Sequence, residues 1–186
     1  MSASPGGEEL VTVVLRGLPV PLHARASEHG QELQREFTLL HLQLERQAAD
    51  GDSVHGAERD VPRRLVELVD ALQGRYAGYT TEQEDQLESA IEQGLDTIDL
   101  TFRVPPDAAK ASEDLGAILD EADAYCREGR HLLTLATPPE ALAYRQWYLQ
   151  QFVDQIAGRP AQSWREWRLA RPPAGDPGER STGSGA

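Results

Sequence analysis

Residues 97–104 alternate without a break. Ile98, Leu100, Phe102 and Val104 are apolar, while Thr97, Asp99, Thr101 and Arg103 are polar. A period of two puts one apolar row on one face of a β-strand. Such a strand needs a neighbour for its backbone groups and a second layer for its apolar face. The other β-branched run, Leu10–Leu15, is the expected partner in one sheet. Gly17 and Pro19 break that first run, and Pro21 prevents a simple continuation. Pro105 and Pro106 stop the second run and start a helix.

Most of the remaining chain has helical period. From Ala24 to Gln47, Leu33, Phe37, Leu40 and Leu44 share one face. Asp60 and Pro62 open a second helix, with Leu65, Leu68, Val69 and Leu72 as its stripe and Gly74 and Gly78 as its end. Thr80 and Gln83 have capping-box spacing and open a third, acidic helix through Leu87, Ala90 and Ile91 to Gly94. A fourth carries Leu115, Ile118, Leu119, Ala122, Tyr125 and Cys126 on one side, and Gly129 follows it. His131–Leu135 reads as an extended connector. Thr137, Pro138 and Glu140 form cap, first-turn proline and N3 glutamate of a fifth helix, which Gly158 and Pro160 end. Ser163 and Glu166 have capping-box spacing for a short final helix. The fold class is therefore α+β, helix-dominated, with about five main helices and a small sheet of two or three strands.

Residues 1–9 are small, polar and acidic and read as a flexible N-terminus. Residues 10–171 form one globular domain, and the Pro, Gly and Ser of 172–186 form a disordered tail. An internal echo divides the domain into possible halves, 10–94 and 95–171. Val20-Pro21 leads to Ala24, Ala26, Ser27, Glu28, Leu33 and Glu36. Val104-Pro105 leads to Ala109, Ala111, Ser112, Glu113, Ile118 and Glu121. Each series follows a strand and opens a helix, the pattern of a duplicated strand–helix–helix unit.

The formal net charge of −13 opposes nucleic-acid binding, which needs clustered cations to neutralise phosphate. The single cysteine, Cys126, has no internal disulfide partner, which favours a reducing compartment. The chain shows neither a signal-peptide pattern nor an apolar run of membrane-spanning length, so a cytoplasmic protein without membrane contact is expected.

Candidate chemistry is sparse. The histidines, His23, His29, His41, His55 and His131, lack paired ligand spacing. His41 with Glu45, and Glu128 with His131, are isolated pairs, so no metal is expected. Cys126 sits on an apolar helix face, where a thiol packs rather than reacts. There is no phosphate-cradling glycine loop and no nucleophile elbow. No catalytic residue and no cofactor are therefore assigned. Glu82, Glu84, Asp85, Glu88 and Glu92 form a solvated acidic face or a docking face for an arginine-rich partner.

The remaining feature is the C-terminal end of the domain. Trp164 and Trp167 stand among Arg159, Arg165, Arg168 and Arg171, a basic segment in an acidic chain. Tryptophan and arginine are favoured anchors of protein interfaces. Trp164, Trp167, Arg159, Arg165 and Arg168 are the candidate partner-binding residues. Packing of the indoles on the preceding helix, which carries Tyr144, Trp147, Tyr148 and Phe152, is the competing use.

Four stretches carry a family resemblance: Leu119-Asp-Glu-Ala-Asp-Ala-Tyr-Cys126, Leu132-Leu-Thr-Leu-Ala-Thr-Pro-Pro-Glu140, Arg145-Gln-Trp147 and Gln155-Ile-Ala-Gly158. Over residues 95–168 the chain resembles uncharacterised actinobacterial regulators. Those are associated with anti-sigma-type ATP-binding proteins and their phosphatase and antagonist partners. The chain lacks the asparagine-bearing box and glycine-rich lid of the kinases and the phospho-acceptor serine of the antagonists, so no functional residue is transferred. The resemblance implies a non-enzymatic bacterial regulatory or protein-interaction module in a partner-switching system. Its partner would be another protein or a second copy, and a self-associating structural module is the alternative. An enzyme of unrecognised mechanism has the least support.

Overall fold

A computed structural model describes residues 9–49, 56–127 and 137–171. The expectations for the first eight residues, for the connector His131–Leu135 and for the tail 172–186 lie outside the described residues. The elements run β1 (Val11–Pro19), α1 (Val20–Ala49), α2 (Gly56–Glu92), β2 (Thr97–Val104), α3 (Ala108–Arg127), α4 (Pro139–Ile156) and α5 (Trp164–Ala170). Among the described residues the fold is thus helix-dominated α+β, with five helices and one two-stranded antiparallel sheet.

The two runs of β-type sequence pair as expected, with Val11 opposite Val104 and Leu15 opposite Leu100. β1 extends past the expected end to Pro19. The next matched pair after Leu15 and Leu100 is Leu18 with Ile98, so β1 carries one extra residue there. Gly17, at φ +57°, takes up that bulge, and its N–H donates to Asp99 Oδ1 at 2.6 Å. α1 follows at once from Val20, because a proline at position 21 still lies in the first turn, where no intrahelical N–H bond is needed.

A two-stranded ribbon has two open edges. Both are closed at the rung where Val14 faces Thr101. On the β1 side, Val14 N donates to Gln155 Oε1 and Gln155 Nε2 donates to Val14 O, each at 2.9 Å. On the β2 side, Gln83 Nε2 donates to Thr101 O at 2.6 Å. Side-chain amides of α4 and α2 thus take the hydrogen bonds that a third strand would otherwise satisfy.

Three expected boundaries are corrected. The second and third expected helices are one, α2, which runs through Gly74 and Gly78. Glycine costs a helix about 1 kcal/mol relative to alanine, and the apolar stripes at Leu65 and Leu87, both buried, hold the continuous helix against the core. Thr80 and Gln83 therefore do not cap: Thr80 Oγ1 donates to Glu84, and Gln83 reaches the sheet. Pro62 lies inside α2 rather than at its start, since α2 begins at Gly56. At α4, Pro138 rather than Thr137 is the cap residue and its hydrocarbon ring has no atom to cap with, while the Thr137 hydroxyl donates to Asp123.

The contacts pair off as a two-fold arrangement of β1–α1–α2 and β2–α3–α4 would require. α1 packs on α2 as α3 does on α4; α1 meets α4 as α3 meets α2; α4 flanks β1 as α2 flanks β2. One core cluster lies on the sheet, with Val13, Leu15, Leu100 and Phe102 against Trp147 and Phe152. A second fills the helical end, with Leu33, Phe37, Leu65, Ile118, Ala122 and Tyr125. α5 lies outside this plan, against β1 and α4. Among the described residues no helix is long and apolar enough to cross a membrane.

Candidate functional site

The connector into α5 is held at Gln162, through both its carbonyl and its N–H. Trp147 Nε1 donates to Gln162 O at 2.9 Å, and Gln162 N donates to Gln151 Oε1 at 2.9 Å. Trp147 and Gln151 are one turn apart on α4 and both fully buried. The following Ser163 and Glu166 make the expected capping box: Glu166 N donates to Ser163 Oγ, and Ser163 N donates to Glu166 Oε2. The Ser163 hydroxyl is the main reason the Glu166 carboxyl is held below the ordinary range, with a smaller contribution from the Arg16 guanidinium.

This geometry divides α5 into two faces. Inward, Trp167 is buried and Trp164 half-buried, their rings stacked at 15° with centroids 5.7 Å apart. Trp164 meets Trp147 and Tyr144 edge-on, at 5.7 and 5.9 Å. The indoles thus extend the aromatic row of α4, a favourable mode for ring quadrupoles. Trp167 Nε1 is buried and has no hydrogen-bond partner among the described residues.

Outward, the arginines separate. Arg168 lies over the Trp164 ring and Arg171 over the Trp167 ring, at 5.5 and 4.8 Å. Arg165 is exposed, and beside it on the helix Leu169 is 74% exposed. Arg159 stands apart, ion-paired with Asp154 at the end of α4. Of the five candidate residues, the two tryptophans thus serve the core, Arg159 serves a helix end, and Arg165 and Arg168 share the open face. Sequence alone did not single out Leu169 and Arg16, and only the fold brings Arg16 of β1 near α5.

The other chemistry-bearing groups are occupied structurally. Asp123, with a side chain only 4% exposed, accepts from Thr137 N, from Thr137 Oγ1 and from Arg145. Burial opposes its ionisation, but the Thr137 and Arg145 hydrogen bonds prevail and hold its carboxyl below the usual value. Burial pushes the Cys126 thiol up to about 11, which leaves it protonated and unreactive at neutral pH. His41 approaches Glu45 at 3.6 Å, and among the described residues no three of His, Cys, Asp and Glu converge. Glu82, Glu84, Asp85, Glu88 and Glu92 are all exposed on α2. Set beside known protein families, curated proteins and solved structures, the chain matches none.

Proposed function

We propose that this chain is a non-enzymatic regulatory module that acts by binding another protein, an acidic one, through the outer face of α5. The observation that carries this is the pairing of an exposed Leu169 with Arg165 and Arg168 on a helix whose other face is anchored in the core. A surface held rigid before binding loses little conformational freedom when a partner docks. Arginine supplies directional, weakly hydrated contacts, and the flanking leucine supplies apolar area. In a chain of net charge −13, such a local basic face selects an acidic partner by charge complementarity. The resemblance over residues 95–168 suggests a partner-switching context for it. A second copy, offering the acidic stretch of α2, is the alternative occupant.

The test compares affinity capture from the native host by wild-type protein and by Arg165→Glu/Leu169→Glu. Both positions are exposed, so the unfolding midpoint should stay within the small range of surface substitutions, about 0.5 kcal/mol. The bound partner should be lost, with binding weakened by roughly 2 kcal/mol or more. Capture of the same proteins by both chains would overturn the assignment to α5. A salt-sensitive dimer seen by light scattering in pure wild-type protein would place a second copy on this face.

A further inference from the structure

A cleft of about 380 Å³ opens between α1, α3 and α4. Its walls are mainly Ala26, Leu33, Leu115, Leu119, Tyr148 and Leu149. Polar groups enter it at few points. His23 Nδ1 and Tyr144 Oη are 2.8 Å apart and hydrogen-bonded, across a sequence separation of 121. His29 also lines the cleft, and its Nε2 is buried with no hydrogen-bond partner among the described residues. Arg145 reaches the rim, but its charge is already met by Asp120 and Asp123, each at 2.7 Å.

These features define an occupant. An apolar cleft of this size lies within the range of small-molecule sites, where a few convergent polar groups fix orientation. Water fits such walls poorly, since an ordered water needs two to four polar partners. A buried imidazole nitrogen without a partner is costly until something bonds to it. Burial lowers the His23 pKa and raises that of Tyr144, so both stay uncharged at neutral pH. With the arginine compensated, no unpaired lysine, arginine or carboxylate lines the cleft to receive an ionic ligand.

We propose that this cleft binds an uncharged, mostly apolar small molecule carrying one hydrogen-bonding group, which pairs with His29 or with the His23–Tyr144 couple. The proposal is independent of the α5 face. A second cleft, of about 540 Å³, lies between α2, β2, α3 and α4 and shares only Leu115, Tyr148 and Leu149 with the first. It provides an internal control.

The experiment titrates full-length protein with N-phenyl-1-naphthylamine, an uncharged fluorophore with one N–H, and with its sulfonated analogue 8-anilinonaphthalene-1-sulfonate. The uncharged probe should bind saturably at one site per chain. Ala26→Trp, which fills the first cleft, should weaken it about tenfold or more, whereas Ala77→Trp, in the second cleft, should leave it within about twofold. Among sites sensitive to Ala26→Trp, the sulfonate should bind more weakly than the uncharged probe. Amide shifts in the wild-type chain give the location without any variant and should cluster at His23, Ala26, His29 and Leu119. Non-saturable binding, shifts centred on Tyr76 and Thr80, sensitivity to Ala77→Trp alone, or preference for the sulfonate would each overturn the proposal.

Discussion

Trp147→Ala should lower the unfolding free energy by about 3–5 kcal/mol, read from urea denaturation. The Trp147 side chain is fully buried at the junction of three elements. Its ring contacts Tyr144 and Trp164, and its N–H holds Gln162 O. Truncation therefore creates a cavity, removes an aromatic contact of α5 and leaves a connector carbonyl without its donor. The release of α5 should also shift the emission of Trp164 and Trp167 toward that of solvated indole. Trp147→Phe, which keeps a ring but not the N–H, should lose less stability.

Asp123→Ala is the second large effect, again about 3–5 kcal/mol, because it leaves a mostly buried cation without its buried partner. The Arg145 side chain is only 14% exposed and would retain Asp120, whose own side chain is 63% exposed and screened by solvent. Thr137 would lose the acceptor for both its N–H and its hydroxyl. Asp123→Asn keeps an oxygen acceptor and should lie between the two. The pH dependence follows from the lowered carboxyl pKa. The ionised form is favoured by folding, so its contribution is present above the ordinary carboxylate value of 3.8 and is lost as pH falls through the lower folded value. The wild type should therefore lose stability in that acidic window, and Asp123→Ala should lack that component of the loss, in a series of unfolding curves against pH.

β2 was legible residue for residue, because alternation at Ile98, Leu100, Phe102 and Val104 is a local signal of a one-sided strand. The Ser163–Glu166 box was legible for the same reason: its geometry lies within one turn. The boundary at Gly74 and Gly78 was misleading because local propensity is a weak term beside packing. Neither glycine takes a positive φ, and neither has a neighbour within 4 Å of where a Cβ would stand, so neither a turn nor a close approach requires them, and α2 simply continues. Thr80, Gln83 and Thr137 do not cap, because a capping pattern names donors and acceptors but not their partners: Thr80 bonds to Glu84 one turn on, and Gln83 and Thr137 bond across the fold.

The candidate site divides along the same line. The exposed Arg165 and the half-buried Arg168 sit in a segment whose composition marks it as basic and aromatic. That Trp167 faces the core and Leu169 faces solvent follows from helical phase once α5 has docked. Arg16 and the His23–Tyr144 couple carry no local pattern, since their partners lie far away in sequence. Gln155 is legible only when β1 is seen to have an open edge at Val14.

The most direct measurement is the dissociation constant between the full-length chain and its captured partner across a salt series, for wild type and for Arg165→Glu/Leu169→Glu. Screening weakens attraction between exposed charges. If the outer face of α5 meets an acidic partner, wild-type affinity should fall steadily with added salt, and the variant should bind weakly at every salt concentration. Wild-type affinity that does not change with salt, or two chains with the same affinity throughout, would contradict binding through α5.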